Sequence, residues 1–416
     1  MENKRSYNFL IFTCVLIWFV CIGSKNIYTA EYIEIGNLFG VDKPRASLAM
    51  TFNFITYSAV QIMLFFVMGK VNIKWYMFIS IFLSGVVTIF VALATDLWQL
   101  CWILAINGIL QAGVWGMCTA VLDKYLPVHM KAKANVLMNV SMPASGIISY
   151  GSASLFVSFK RFNSPFTFFG IVLSISAILF FIAVSKCAQL KKQQSIEQVA
   201  LKTASVKPIE NLPFTLKTNK KKSLFVIISF ALSVVVHFIY YGVLNWLPSL
   251  LPENFAMKES IAQAISVIAP IAVALGPVFA IRHCEMHSNF VLVGFKYLAL
   301  ACICSLLLIF LFNVNIVLTL VLVCAFLIIV QGTISIVFSI ISYKLGAYIN
   351  AGAHAGLMNA AGGISAGFAP TIIGAIIECN NGWQLSYLTI FAITLLTTIF
   401  MALLLVLLNK SRTKKV

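Results

Sequence analysis

The sequence predicts an all-α polytopic membrane protein with twelve transmembrane helices in two pseudo-symmetric six-helix bundles. The first observation is composition: 61% of the 416 residues are hydrophobic and 10% are charged, with a mean hydropathy of +0.98. Soluble domains carry about 25% charged residues, so this surface needs an apolar solvent. The second observation is a series of long apolar runs, whereas a transmembrane β-barrel would show weak alternation over segments of about ten residues.

Twelve apolar runs have the length that a membrane-spanning helix requires. A hydrocarbon core about 30 Å thick needs roughly 20 apolar residues in a helix. On that measure the predicted spans cover residues 8–30, 46–69, 74–94, 98–122, 135–158, 165–185, 223–247, 260–281, 289–312, 315–341, 351–376 and 383–408. Six of these spans precede one long polar run and six follow it.

The polar run from Lys186 to Lys222 is the third observation, because it divides the chain into two similar blocks. The run is rich in lysine, and its acidic residues are Glu197 and Glu210. We therefore predict an N-terminal six-helix bundle at residues 1–185, a basic linker at 186–222 and a C-terminal six-helix bundle at 223–416.

Short pieces of sequence recur at corresponding places in the two blocks. Many secondary carriers are built from parallel repeats around a site near the membrane midplane, so the recurrence favours an internal duplication. The matched positions are Gln111 and Gln331, Lys124 and Lys344, residues 137–139 and 357–359 (both Leu-Met-Asn), and Ser145 and Ser365.

The formal net charge of +17 is explained by membrane orientation. Nucleic acid is the other class of partner that such a charge suggests, but the basic residues lie in the gaps between apolar runs. Lysine and arginine concentrate on the cytoplasmic side of membrane proteins. We therefore expect both termini and the linker to be cytoplasmic, in a plasma membrane of the bacterial inner-membrane type. The expected partners are a small-molecule substrate and the lipid bilayer, with no nucleic acid, and the chain is expected to be a monomer.

Polar residues near the ends of spans one and two are candidates for a binding site. Lys25 lies near the end of span one. A lysine there either snorkels to the interface or reaches an anion between the helices, and the sequence leaves both open. In span two, Tyr57 and Gln61 are four residues apart and share one helix face.

Span four carries three polar or aromatic residues on one face. Asn107, Gln111 and Trp115 follow one another at intervals of four residues. Two carboxamides and an indole aligned inside a membrane indicate a face that meets water or substrate. Hydrogen bonding between helices is the alternative, and the spacing does not choose between them. We take Gln111 and Trp115 as candidate substrate-binding residues.

Span seven has a similar polar face. His237, Tyr241 and Asn245 are again four residues apart, and Tyr240 is adjacent. An aromatic belt at the membrane interface does not explain a histidine this deep, so we predict a substrate-facing surface. A histidine whose hydrogen bonds are satisfied inside the bundle is the alternative.

Three carboxamides in the remaining spans complete the candidate set. Asn139 and Asn359 stand at the same place in the two Leu-Met-Asn sequences, and Gln331 matches Gln111. A carboxamide in hydrocarbon must find a partner, which is another helix or a ligand. Contact with another helix and contact with a ligand both remain open for these residues.

Glycine and proline residues in spans five, seven and eleven are candidate gating or hinge positions. Small residues let helices approach closely, and proline removes a backbone hydrogen bond. Close packing alone also explains the glycines. The candidates are Pro143, Gly146, Gly242, Pro248, Gly362, Gly363 and Pro370.

The six-plus-six layout with a cytoplasmic central linker resembles the major facilitator superfamily, and the resemblance covers nearly the whole chain. Residues 69–74, between spans two and three, lack the acid of the superfamily's usual loop. Three short sequences are similar to the organophosphate:phosphate antiporters, the glycerol-phosphate and hexose-phosphate carriers. They are residues 24–26 (Ser-Lys-Asn), residues 107–115 and residues 241–248.

The departures from that antiporter branch bear on the substrate. The resemblance implies a pair of arginines that holds phosphate, but Ser24 and Tyr240 stand at those positions, and Met142 stands in place of a histidine. Of the basic residues that the resemblance implies, Lys25 is present. A phosphoryl dianion favours bidentate guanidinium partners, so a less charged substrate is expected, such as a monocarboxylate, a sugar acid or a polyol.

We therefore predict a secondary active transporter, an antiporter by resemblance, that moves a small polar organic anion by alternating access. Two alternatives stay open: a proton-coupled exporter of apolar compounds and a transporter-like membrane sensor. The sequence has no Walker loop, catalytic triad or metal-ligand spacing, so we expect no enzymatic activity, no cofactor and no metal. Acidic residues are scarce within the spans, which argues against an acidic side chain that carries a proton across the membrane.

Overall fold

The computed structural model describes residues 2–67, 71–158, 164–201, 220–287, 289–337 and 351–413. The described residues form helices and no strands. Eleven stretches are long and apolar enough to cross a membrane, and helix Val128–Ser158 lies between the fourth and fifth of them along the chain. The predicted all-α fold with twelve membrane helices is confirmed.

The described helices are numbered here in chain order. They are α1 (Glu2–Ala30), α2 (Tyr32–Phe39), α3 (Lys43–Val67), α4 (Ile73–Val91), α5 (Leu97–Gln111), α6 (Val114–Tyr125), α7 (Val128–Ser158), α8 (Ser164–Leu201), α9 (Lys220–Leu244), α10 (Leu247–Phe255), α11 (Glu259–Ser266), α12 (Ile268–Val273), α13 (Leu275–Met286), α14 (Phe290–Leu311), α15 (Ile316–Ser335), α16 (Ala351–Ile377) and α17 (Gly382–Thr413).

Two helices extend furthest beyond the predicted spans. Helix α7 begins at Val128 rather than at residue 135, and α8 continues to Leu201 rather than ending at residue 185. Residues 186–201 contain no glycine or proline and are mostly good helix formers, so nothing in them stops the helix. The first part of the predicted linker is therefore helical, and its residues 202–219 lie outside the described part of the chain.

Predicted span four is two helices, because the chain breaks at Ala112 and Gly113. Ala112 is extended (φ −62°, ψ 137°) and Gly113 is left-handed (φ 81°), a conformation that glycine adopts without the steric cost of a Cβ. Gln61 stabilises the break, since its Oε1 accepts a hydrogen bond from the Gly113 amide at 3.3 Å. Span four is therefore interrupted near its middle.

Spans seven and eight are also interrupted. Span seven breaks at Asn245 and Trp246, after which α10 begins. Pro248 lies in the first turn of α10, where a missing backbone N–H removes no helical hydrogen bond. Span eight consists of α11, α12 and α13, separated at Val267 and Ala274. Apolar runs alone do not reveal such breaks, because a hydropathy window about as long as a span averages over these few residues.

Matched serines hold the fifth span of each half against the first span of that half. The Ser145 hydroxyl of α7 donates to the carbonyl oxygen of Phe19 in α1 at 2.7 Å. The Ser365 hydroxyl of α16 donates to the carbonyl oxygen of Val234 in α9 at 2.6 Å. The two positions recognised as equivalent in the sequence therefore make equivalent hydrogen bonds, which supports the duplication.

The first six spans meet the last six along α3 with α16 and along α7 with α11 and α12. At one end of the bundle this contact is polar and tight. We call this end, which carries residues 28–51, 246–263 and 367–383, the sealed end. There Lys43 Nζ lies 3.0 Å from Glu253 Oε2 and 3.5 Å from Glu378 Oε1, and Thr51 Oγ1 lies 2.7 Å from Thr371 Oγ1.

Glycine packing inside the first six spans gives a test of the fold. A Cβ at Gly85 of α4 would lie 2.6 Å from the carbonyl oxygen of Gly170 in α8, whereas a Cβ at Gly151 would meet no atom within 4 Å. We expect Gly85→Ala to lower the thermal unfolding midpoint, by the equivalent of about 1–3 kcal/mol for overpacking. Gly151→Ala is the matched control and should leave the midpoint unchanged or higher. Equal midpoints for the two variants in detergent would contradict this helix contact.

Candidate functional site

Lys25 of α1 lies at the interface between the two halves, with its ammonium group against aromatic faces of α3. Its Nζ is 4.2 Å from the ring centroid of Tyr57 and 5.2 Å from that of Phe54. Among the described residues, no carboxylate lies within ion-pairing distance of it. A cation–π contact replaces only part of the hydration that an ammonium group loses. Lys25 therefore remains able to attract an anion.

Tyr57 connects this lysine to the second half. Its hydroxyl accepts a hydrogen bond from Asn359 Nδ2 of α16 at 3.0 Å. Tyr57 is almost fully buried and Asn359 is half-buried. The approach of α3 to α16 depends on Gly363, because a Cβ there would clash with the Ser58 hydroxyl. Two of the predicted site residues are thus brought into direct contact across the interface.

His237 and Tyr241 of α9 face the same region from the other side. His237 Nδ1 lies 2.7 Å from the Ser233 carbonyl oxygen, so this nitrogen carries the hydrogen and donates it. The His237 and Tyr241 rings are stacked, with centroids 6.3 Å apart. A Cβ at Gly362 would lie 3.0 Å from His237 Nε2, so this glycine makes room for the imidazole. In the neutral ring Nε2 is left as an acceptor for a hydroxyl.

Phe54 joins these groups into one cluster. Its ring centroid is 6.4 Å from that of Tyr57 and 6.4 Å from that of Tyr241. The central cluster is defined here as Lys25, Phe54, Tyr57, His237, Tyr241 and Asn359, which come from α1, α3, α9 and α16. It combines one cation, aromatic faces and several hydrogen-bonding groups, a combination suited to a small polar anion.

Phe54 is absent from the sequence-based set of candidates. A phenylalanine in an apolar run has no feature that separates it from packing residues. The available signal was its position three residues before Tyr57, which places both rings on one helix face.

Gln111 and Gln61 are occupied by contacts within the first six spans. Gln111 Nε2 donates to Ser84 Oγ at 3.0 Å and contacts Ser24 Oγ at 3.4 Å. The neighbouring Asn107 accepts from Ser84 and donates to Thr88 at 3.1 Å. Gln61 holds the break at residue 113. In this conformation these carboxamides hold helices to one another, which was the alternative reading of the span-four face.

Four other candidates lie outside the central cluster as defined, and a fifth has a side chain that the structure does not describe. Trp115 packs on Trp18 with ring centroids 5.0 Å apart. Tyr240 is buried against Tyr241, with centroids 5.0 Å apart, and Asn245 is buried at the break in span seven. Gln331 lies on α15 beside Gly276 of α13. Asn139 lies in α7, and its side chain falls outside the described part of the structure.

The four candidate hinge glycines lie at positions of close packing, and Pro248 follows the break in span seven. Pro143 lies within the continuous helix α7 and Pro370 within α16. A Cβ at Gly146 would lie 2.8 Å from Pro270 of α12, across the interface between the halves. A Cβ at Gly242 would lie 3.1 Å from Ile373 and from Ile390, and α9 continues past this glycine.

Comparison with protein families matches residues 13–354 of this chain to the model of the Major Facilitator Superfamily. No curated protein matches the sequence. Solved structures match the fold over almost the whole chain. The D-xylose-proton symporter has a TM-score of 0.71 at 12% identity, over 94% of this chain and 96% of that one.

Two further structures show the same fold. A bacterial homologue of the human lysosomal transporter Spinster, in an inward-facing and unoccupied conformation, has a TM-score of 0.69 at 12% identity, over 96% of this chain and 95% of that one. The nucleoside transporter NupG has a TM-score of 0.67 at 15% identity, over 97% and 98% of the two chains. At these identities the likeness is one of fold.

The hydrogen bond between Tyr57 and Asn359 can be measured by a double-mutant cycle. We expect Tyr57→Phe and Asn359→Ala each to lower the thermal midpoint, and the double variant to lose less than the sum. The coupling should be about 1 kcal/mol, the net value of a neutral hydrogen bond. Additive losses would show that the two side chains do not interact in the protein in detergent.

Proposed function

The chain belongs to the Major Facilitator Superfamily, and we propose that within it this transporter is a secondary carrier of a small polar organic anion, working by alternating access. We place it in a plasma membrane of the bacterial inner-membrane type, with both termini cytoplasmic, and assign it exchange of solutes as its mode of transport. We further propose that residues 1–185 and 223–416 move as two bodies joined by the linker 186–222.

The observation that carries the anion proposal is the position of Lys25. Its ammonium group lies inside the bundle, at the contact between the halves, and faces aromatic rings instead of a carboxylate. A cation in such a place is energetically costly, so its presence indicates a functional role. The group that best compensates its positive charge is an anion that enters and leaves the site. The carboxylate of a substrate would take over the role that the Tyr57 and Phe54 rings serve in this conformation.

The neighbours of Lys25 favour an anion of low charge with hydroxyl groups. Ser24 is buried and donates to the carbonyl oxygen of Cys21 at 2.9 Å, and Tyr240 is buried too, so neither arginine position of the organophosphate antiporters carries a cation. One lysine matches a monocarboxylate better than a phosphoryl dianion. We assign the carboxamide of Asn359 and the imidazole of His237 to the hydroxyl groups of such a substrate, as in a sugar acid.

The sealed end supports a cycle in which the two halves part and close. If the termini are cytoplasmic, the sealed end faces outwards and the conformation described is closed to the outside. Opening that end requires the Lys43 pairs and the contact of Thr51 with Thr371 to break. These groups are partly exposed or hydroxylic, and such contacts cost little to exchange for water.

Lys25 gives the decisive test of this function. A thermal-shift screen with L-lactate, D-gluconate, glycerol and glycerol 3-phosphate on purified protein should select a carboxylate. In proteoliposomes, Lys25→Ala should then lower uptake of that carboxylate more than tenfold, because the buried charge partner is lost. Lys25→Arg should retain part of the uptake, and Lys258→Ala, which removes an exposed lysine, should leave it unchanged.

Other results of the same experiment point to other functions. Tight binding of glycerol 3-phosphate would contradict the argument from the absent arginines. If glycerol gives the thermal shift and its uptake is unchanged in Lys25→Ala, the substrate is a neutral solute. Binding without flux would favour a membrane sensor. Drug sensitivity of a deletion strain, without binding of any of the four probes, would favour an exporter of apolar compounds.

A further inference from the structure

Glu31 is a fully buried carboxyl group between α1 and α2, at the sealed end. Its exposed fraction is 0%, and neither carboxyl oxygen has a hydrogen-bond partner among the described residues. Buried polar groups are almost always hydrogen-bonded, and an unpaired buried carboxylate is far more costly than an unpaired neutral acid. The geometry therefore requires either a bound cation or a proton on this group.

Within the described part of the chain, the groups around Glu31 provide no positive charge. The charged group that acts on it directly is Glu34 on α2, and Glu34 in turn neighbours Glu259 at the start of α11. Lys43 on α3 is engaged with acidic residues of the second half. Burial, together with the Glu34 charge, raises the pKa of Glu31 to about 9 from an ordinary value of about 4.3.

Both neighbours of Glu31 in the chain contact the second half. The carbonyl oxygen of Ala30 accepts a hydrogen bond from Gln263 Nε2 of α11 at 3.1 Å. The Tyr32 ring packs on Trp246, with centroids 5.2 Å apart, and Trp246 Nε1 donates to the carbonyl oxygen of Pro370 at 3.0 Å. Separation of the halves at this end therefore removes the cover from the segment that contains Glu31.

We propose that Glu31 is a proton-binding site of the sealed end, whose carboxylate takes up one proton when the halves close over it and releases that proton when they part. The step is a simple protonation, in which –COO⁻ and H⁺ give –COOH, and it needs no other reactant. It rests on the parting of the halves in the proposed function, and it is independent of the substrate and of Lys25.

Proton linkage fixes the direction and size of the effect. The pKa is raised in the sealed state, so the stabilisation of that state is complete at low pH and is lost as pH rises towards about 9. Between an ordinary carboxyl pKa of about 4.3 and that value, the ratio of open to sealed molecules should rise about tenfold per pH unit. The proton thus acts as a ligand of the sealed conformation.

The linkage can be measured without a substrate. Fluorophores on unnatural amino acids at the exposed residues Asn37 and Asn380 would report the separation of the halves by energy transfer in the full-length protein. In a Lys43→Gln background, which removes the ion pairs of the sealed end, both states should be populated. Between pH 5.5 and 8.5 we expect the same tenfold rise per pH unit in the ratio of open to sealed molecules. Glu31→Gln should abolish this rise, and the matched control Glu34→Gln should retain it.

A second readout tests the protonation itself. The infrared band of a protonated carboxylic acid should be present at pH 8, where Glu31 is still mostly protonated, and lost in Glu31→Gln. Absence of this band in the parent protein, or an unchanged pH slope in Glu31→Gln, would overturn the proposal. A shift that follows sodium replaced by choline at fixed pH would overturn it in favour of a metal-ion site. A Glu31 band without any change in energy transfer would instead contradict the parting of the halves, and with it alternating access.

Discussion

The close approach of α3 and α16 is the constraint on which the rest of this structure depends. Small residues make it possible, since a Cβ at Gly367 would lie only 3.2 Å from Phe54 Cβ and 3.4 Å from the Thr51 carbonyl oxygen. Thr51 donates to the Gly367 carbonyl oxygen at 2.6 Å, so the contact is both steric and hydrogen-bonded. Because the two helices belong to different halves, this one contact closes the sealed end and also brings Tyr57 to Asn359.

The same approach determines the chemistry of the interface. The rings of α3 that contact α16 are the rings that receive the ammonium group of Lys25, so the helix that seals the end also forms one wall of the central cluster. A ligand that pulled the ammonium away from Tyr57 would disturb a residue hydrogen-bonded to the second half. In the proposed function, binding and closure would therefore be linked through a single side chain, without a long pathway between distant sites.

Composition and apolar runs predict the fold well, because the length of a membrane helix is set by the bilayer. They also place Lys25, Tyr57, His237, Tyr241 and Asn359 on faces that do meet. What the sequence did not reveal has a physical cause. Hydropathy carries no information on backbone conformation, so it does not show the break at Gly113. Helical spacing does not distinguish a face that contacts substrate from a face that contacts another helix, and the Gln111 side chain contacts Ser84. Glu31 follows a span directly and resembles a solvated loop residue, although tertiary packing buries it completely.

The length of α8 has a mechanical consequence. Its 38 residues extend about 57 Å at 1.5 Å per residue, nearly twice the thickness of a hydrocarbon core. Where the helix leaves the first half it is braced, since Lys191 Nζ donates to the Lys124 carbonyl oxygen at 2.8 Å. The helix is therefore fixed to the first six spans. If it tilts with them by about 10° around its first residue, its last residue moves by roughly 10 Å. Any such tilt would displace Leu201 further than it displaces residues at the centre of the bundle.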